Sequence, residues 1–222
     1  MEKVLIVDDH TLIAATLTGA LRSRGYDARP CTPRSDAYIL EVVGVFKPAV
    51  VLLDLELDVD RVSIPLVGPL GRAGAAVVML TATTDEIRLA ECVEAGAAAI
   101  LSKAARLDEV VEAIETARNG GSAIPDERRK ALLDALAASR ADQEQRRAPF
   151  ERLTPREQEV LDALMQGKTA NVIAAESRTS VATVRNHIQR LLDKLDVSSQ
   201  LAAVTKAQSA GWSLTETEHP DR

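Results

Sequence analysis

Five short apolar runs punctuate the first half of the chain, at Lys3–Val7, Asp27–Cys31, 49–54, 75–80 and 98–101. KVLIV, AVVLLD and AAVVML are continuous aliphatic runs without the alternation of a half-exposed strand, so they predict strands buried on both faces. Helical periodicities separate them. Ile13, Leu17 and Leu21 share one face before Gly25, a second pattern covers 84–95 and stops at Gly96, and a third covers 107–118 with Leu107, Val110, Val111 and Ile114 together. Strands alternating with helices imply βαβ units with right-handed crossovers. The fold class predicted is α/β, a doubly wound five-stranded parallel sheet. Segment 61–73 is the poorest helical pattern, because Pro65 and Pro69 allow helix only near its start.

Beyond Asn119-Gly120-Gly121 the pattern changes. PDERRKALLDALAASR predicts an amphipathic helix carrying Leu132, Leu133 and Leu136 on one side, while 141–149 is polar, has no hydrophobic period and reads as a linker. The remainder has no strand signal and four helix starts. Thr154-Pro155-Arg156-Glu157 is a capping box with proline at the first helical position, Gly167 stops that helix, Thr169 and Ser180 can cap two more, and Ser198 or Ser199 opens a last one ending near Gly211. The chain therefore divides into an α/β domain over 1–119, a helical linker over 120–150 and a small all-α domain over 151–222.

Composition narrows the class. Apolar residues make up 46% and aromatics 2%, so the cores are aliphatic. Cys31 and Cys92 form neither a disulfide framework nor a metal spacing, which points to a reducing cytoplasm. No apolar run approaches the roughly 20 residues that cross a bilayer. The net charge of -6 hides an asymmetry: residues 1–119 hold 12 basic and 18 acidic side chains, whereas 178–194 carry Arg178, Arg185, Arg190 and Lys194 against Asp193 alone. The acidity lies in the first half, and one late segment is locally basic.

The candidate chemistry sits at the strand ends. Asp8 and Asp9 follow the first predicted strand, Asp54 the third, Thr81 the fourth and Lys103 the fifth. Adjacent carboxylates repel unless a cation or hydrogen bonds neutralise them. The bland reading of the pair is that Asp9 or Thr11 caps the next helix. Yet ligands of an open parallel sheet bind beyond the carboxyl ends of its strands, so all five side chains would meet on one edge. A hard divalent cation bound by oxygens resolves the repulsion among the acids. Lysine and threonine remain to hold an anionic group of phosphoryl size.

With those residues in place, roughly residues 2–119 resemble the receiver domains of bacterial two-component response regulators, whose fold is flavodoxin-like. The resemblance implies that Asp54 accepts a phosphoryl group from a histidine kinase. It implies that Asp8, Asp9 and Asp54 hold Mg²⁺ with the main-chain carbonyl of Glu56, and that Thr81 and Lys103 bind the phosphoryl oxygens. There are departures. The loop after Asp54 reads LELDVDR, where Glu56, Asp58 and Asp60 add negative charge. Ile100 stands at the switch position where many receivers carry an aromatic residue that swings inward. Ala104 replaces a proline that often follows the lysine with a cis bond; a cis Lys-Ala bond costs roughly 3 kcal/mol, so a trans bond or a rearranged loop is expected.

From Leu153 to Val204 the chain resembles the LuxR-type helix-turn-helix of NarL/FixJ regulators, carried by LTPRE, TVRNH and the following KLDV. Val184, Ile188, Leu191, Leu192 and Leu195 form the apolar stripe of its third helix. That leaves Arg185, Asn186 and Gln189 on the opposite face, as in a recognition helix entering the major groove. Arg178, Arg190 and Lys194 are expected to touch phosphates or steady the helix, and His187, flanking the stripe, to pack. Ser177 and Thr179, where the family has apolar residues, predict a looser module.

The expectation is a DNA-binding transcriptional response regulator, cytoplasmic, switched by Mg²⁺-dependent phosphorylation by a histidine kinase. Its second partner is double-stranded promoter or operator DNA, bound as a homodimer when active, with no membrane. The alternative keeps DNA binding but has a degenerate, phosphorylation-independent receiver. An enzyme such as an aspartyl-phosphate phosphohydrolase is disfavoured, since that chemistry wants an aspartate two residues after the nucleophile and Glu56 stands there.

Overall fold

A computed structural model describes residues 1–58 and 61–214, and in it the chain forms two compact units, 1–138 and 139–222. In the first unit the strands β1 (Lys3–Val7), β2 (Asp27–Cys31), β3 (Val50–Asp54), β6 (Ala76–Thr81) and β7 (Ala99–Ser102) make one parallel sheet in the order β2-β1-β3-β6-β7. The order reverses between β1 and β3, which places a crevice at their carboxyl ends. The doubly wound, flavodoxin-like sheet is present as expected.

Alternation along the central strands builds two cores. Leu5, Val7, Val51 and Leu53 face α2 (Asp36–Phe46), α3 (Ile64–Arg72) and α4 (Glu86–Glu94), meeting Ile39, Val43, Leu66, Leu70 and Cys92. Val4, Ile6, Val50 and Leu52 face α1 (Thr11–Ser23) and α5 (Leu107–Arg118), meeting Ala14, Leu21, Val110 and Ile114. All five residues of β3 are buried, including Asp54 at its end.

One local expectation is corrected. Helix α3 runs past Pro69, because Pro65 occupies the first turn and only the one bond from position 69 back to it is lost. The acidic loop after Asp54 is a small antiparallel ribbon, β4 (Glu56–Asp58) with β5 (Arg61–Val62); Asp60 lies outside the described residues. The Lys103–Ala104 bond is trans.

The predicted linker is helical from Asp126 onward. Helix α6 (Asp126–Glu151) includes the 141–149 stretch that has no hydrophobic period. Its first turns belong to the first unit, where Leu132 and Leu136 pack with Ile124 on Ala90 and Val93 of α4, and Arg128 pairs with Glu86. The second unit holds α7 (Pro155–Met165), α8 (Ala170–Glu176), α9 (Val181–Leu195) and α10 (Gln200–Ser209), capped by Thr154, Thr169, Ser180 and Ser199. Their apolar faces close a core with Phe150, Val160, Leu161, Ile188, Leu191 and Trp212.

Candidate functional site

The crevice beside β1 and β3 gathers the charged residues. Asp8 (2% exposed), Asp54 (1%) and Thr81 (5%) are buried: Asp54 and Thr81 end their strands and Asp8 directly follows β1, so the residues before each lie in the sheet. Lys103 follows β7 and reaches back, its Nζ lying 2.5 Å from Asp54 Oδ2 and 3.3 Å from Asp8 Oδ2. The backbone N–H of Glu56 donates to Asp54 Oδ1 at 3.2 Å, and Ser63 donates its hydroxyl to the Asp54 carbonyl at 2.5 Å. Thr81 Oγ1 accepts from the Thr83 N–H at 3.0 Å, and the Lys103 N–H donates to the Thr81 carbonyl at 2.9 Å, tying the last two strand ends together.

Two buried carboxylates share one ammonium here. Burial pushes Asp54 up to about 6 against the hydrogen bond from Lys103, with the neighbouring Asp8 charge adding to the rise. Burial alone would lower Lys103, but the hydrogen bond to Asp54 and the charges of Asp54 and Asp8 hold it above its ordinary value. Among the described residues Asp8 Oδ2 has no hydrogen-bond partner, only the ion pair with the Lys103 ammonium. An under-satisfied buried carboxylate oxygen and an excess of negative charge suit a hard cation bound by oxygens. Asp9 is more open, and Glu56 points outward to pair with Arg88 of α4 at 3.0 Å.

One member of the cluster was not among the sequence candidates. His10 places Nδ1 at 2.8 Å from Asp9, 3.2 Å from Asp8 and 3.9 Å from Asp54, so its ligand atom falls within 4.8 Å of the three carboxylates. It stands at the N-cap of α1 but makes no side-chain cap bond, and neither Asp9 nor Thr11 caps that helix. Its place directly after the acidic pair was the available signal. Ile100, at the expected switch position, is half-buried and packs both under the sheet and against the cluster that holds α6 on α4.

In the second unit, α9 buries Val184, Ile188, Leu191, Leu192 and Leu195, leaving Arg185, Asn186, Gln189 and Arg190 exposed. Gln189 donates along the helix to Asp193 at 2.9 Å. Arg178, exposed, takes a left-handed conformation (φ 52°) in the turn between α8 and α9, and His187 is half-buried beside the stripe. Lys194 differs from the others. Its ammonium donates to Glu157 at 2.6 Å and to the Arg152 carbonyl at 3.0 Å, so it ties α9 to the start of α7. Of the two roles expected for it, steadying the helix is the one this geometry suits, since its ammonium is bound to the Glu157 carboxylate.

Comparison with known proteins accounts for both units. Residues 4–115 match the Response regulator receiver domain family, and residues 151–207 match the Bacterial regulatory proteins, luxR family. The chain is 28% identical over 209 residues to the transcriptional regulatory protein LiaR of Bacillus subtilis, covering 93% of this chain and 97% of that one. It is 29% identical over 207 residues to the probable transcriptional regulatory protein NarL of Mycobacterium tuberculosis, covering 92% and 93%. The solved RcsB–DNA complex shares the fold, with a TM-score of 0.50 and 19% identity over 94% of this chain and 98% of that one.

Proposed function

The chain belongs to the response-regulator receiver family, here joined to a luxR-type DNA-binding domain, and from that premise we propose a transcriptional regulator switched by Mg²⁺-dependent phosphorylation of Asp54. The observation that carries this reading is the meeting of Asp8, Asp54 and Lys103 at one sheet edge, with Thr81 ending the strand beside Asp54. The donor is a phosphohistidine of a partner kinase. A carboxylate oxygen of Asp54 attacks phosphorus while the N–P bond to the donor imidazole breaks. Lys103, already on Asp54, is placed to follow the incoming phosphoryl oxygens, and the Thr81 hydroxyl can leave the Thr83 N–H to join it. Asp8, Asp9, Asp54 and the Glu56 carbonyl would hold Mg²⁺, which when bound offsets charge on the transferring group.

Arg185, Asn186 and Gln189 are the proposed base readers, with Arg178 and Arg190 on phosphates of double-stranded DNA in the cytoplasm. One short helix-turn-helix makes few contacts, so the active form is a homodimer on two half-sites. Exposed Leu12 on α1 and Leu201 on α10 mark the candidate faces.

The test is intact-mass analysis after incubation with acetyl phosphate and Mg²⁺. One added phosphoryl group is expected, abolished by Asp54→Asn and by EDTA. Equal labelling of Asp54→Asn refutes the assignment. No labelling of the wild type by any phosphodonor or kinase selects the degenerate receiver, which the Ile100 substitution and the Glu56–Arg88 pair beside the acceptor would suit.

A further inference from the structure

His10 turns the acidic pocket into a mixed nitrogen and oxygen donor set. Two ligands at right angles on bonds of about 2.1 Å stand roughly 3.0 Å apart. The spacings from His10 Nδ1 to Asp9 and Asp8, 2.8 and 3.2 Å, fit the edges of such a polyhedron. A second observation concerns buried Asp8: among the described residues its Oδ2 makes no hydrogen bond and has only the Lys103 ammonium, 3.3 Å away, to balance it, while Oδ1 accepts the His10 N–H at 2.8 Å. The bond from Asp8 to the His10 backbone fixes the ring at the mouth of the pocket. The same nitrogen lies 3.5 Å from the Lys103 ammonium.

We propose that His10 is a ligand to the divalent ion of this site, through Nδ1, and shifts its preference from Mg²⁺ toward a borderline ion such as Mn²⁺ or Co²⁺. Magnesium demands oxygen ligands and keeps its water, whereas an imidazole suits later first-row ions, whose affinity rises along the series from Mn²⁺ to Co²⁺. The proposal rests on the metal-site reading above but asks which ion that site selects.

The experiment measures binding of Mg²⁺, Mn²⁺ and Co²⁺ to the full chain by titration calorimetry, for the wild type, His10→Gln and Asp9→Ala. Pulsed electron paramagnetic resonance of the Mn²⁺ forms reports nitrogen at the metal directly. The wild type is expected to bind Co²⁺ at least ten-fold more tightly than Mg²⁺ and to show a ¹⁴N coupling on Mn²⁺. His10→Gln should still bind Mg²⁺, lose most of the Co²⁺ preference and lose the nitrogen signal. Bound Mn²⁺ without a ¹⁴N coupling in the wild type, or an unchanged preference in His10→Gln, overturns the role of His10 and leaves the metal site standing. Absence of binding by any of the three ions, or binding indifferent to Asp9→Ala, overturns the site itself and His10 with it.

Discussion

Replacing Lys194 by methionine removes the cation that holds a buried carboxylate between α7 and α9. Glu157 is 3% exposed and closes the capping box of α7, accepting the Thr154 N–H at 2.8 Å as well as the Lys194 ammonium at 2.6 Å. Burial would push Glu157 up, but the bonds from Lys194 and Thr154 outweigh it and hold the carboxyl below its ordinary value. Breaking a fully buried pair by deleting one partner costs about 3–5 kcal/mol. Lys194 is a third exposed, so water can partly replace it, and the Thr154 bond survives. We therefore expect Lys194→Met to destabilise the second unit by about 2 kcal/mol. The double variant Lys194→Met/Glu157→Gln should recover about half of that, since no unpaired charge remains. The chain's single tryptophan, Trp212, is buried against Phe150 with ring centroids 5.8 Å apart, so its fluorescence in urea reports this unit. A loss under about 0.5 kcal/mol, or strict additivity in the double variant, refutes the reasoning.

The same pair sets a pH dependence: a carboxyl lowered on folding contributes stability above its unfolded value of about 4.3, lost as pH falls through the folded value, and Glu157→Gln should flatten that loss in acid urea titrations. On DNA, Arg185→Ala should lower the cognate-to-scrambled binding ratio by about 1–3 kcal/mol, and an unchanged ratio in a folded variant removes α9 as the reader. Arg190→Ala should weaken binding to both sequences and reduce the salt slope by about 1, whereas Lys194→Met should leave that slope unchanged because Glu157 already neutralises the charge. Leu136→Ala, at the contact of α6 with α4, should cost about 2–4 kcal/mol in thermal or chemical unfolding of the first unit. Light scattering with and without a phosphoryl mimic tests assembly, and a monomer in every state, on DNA included, contradicts the homodimer.

The sheet and the helix-turn-helix were legible because periodicity is local. A continuous apolar run such as VVLLD can only be satisfied by burial on both faces, and the Val184–Ile188–Leu195 spacing fixes which side of α9 faces inward. Strand ends are likewise read from sequence, so Asp8, Asp54, Thr81 and Lys103 could be assigned to one edge before any distance was known. The helical path of 141–149 was not legible, since a polar stretch with no apolar period carries no sign of what its neighbours impose.

What tertiary structure decided were the pairings between distant positions. Lys194 looks like one more base on a basic helix until Glu157, from the start of α7, is found beneath it. His10 looks like a surface imidazole until the turn after β1 folds it over Asp8 and Asp9. Leu132 and Leu136 look like the face of a free linker helix until α4 offers Ala90 and Val93 to receive them. A single sequence encodes which residues seek burial or a counter-charge. Their partners depend on chain closure over tens of residues, where many alternatives satisfy the same local pattern and only the packed fold selects one.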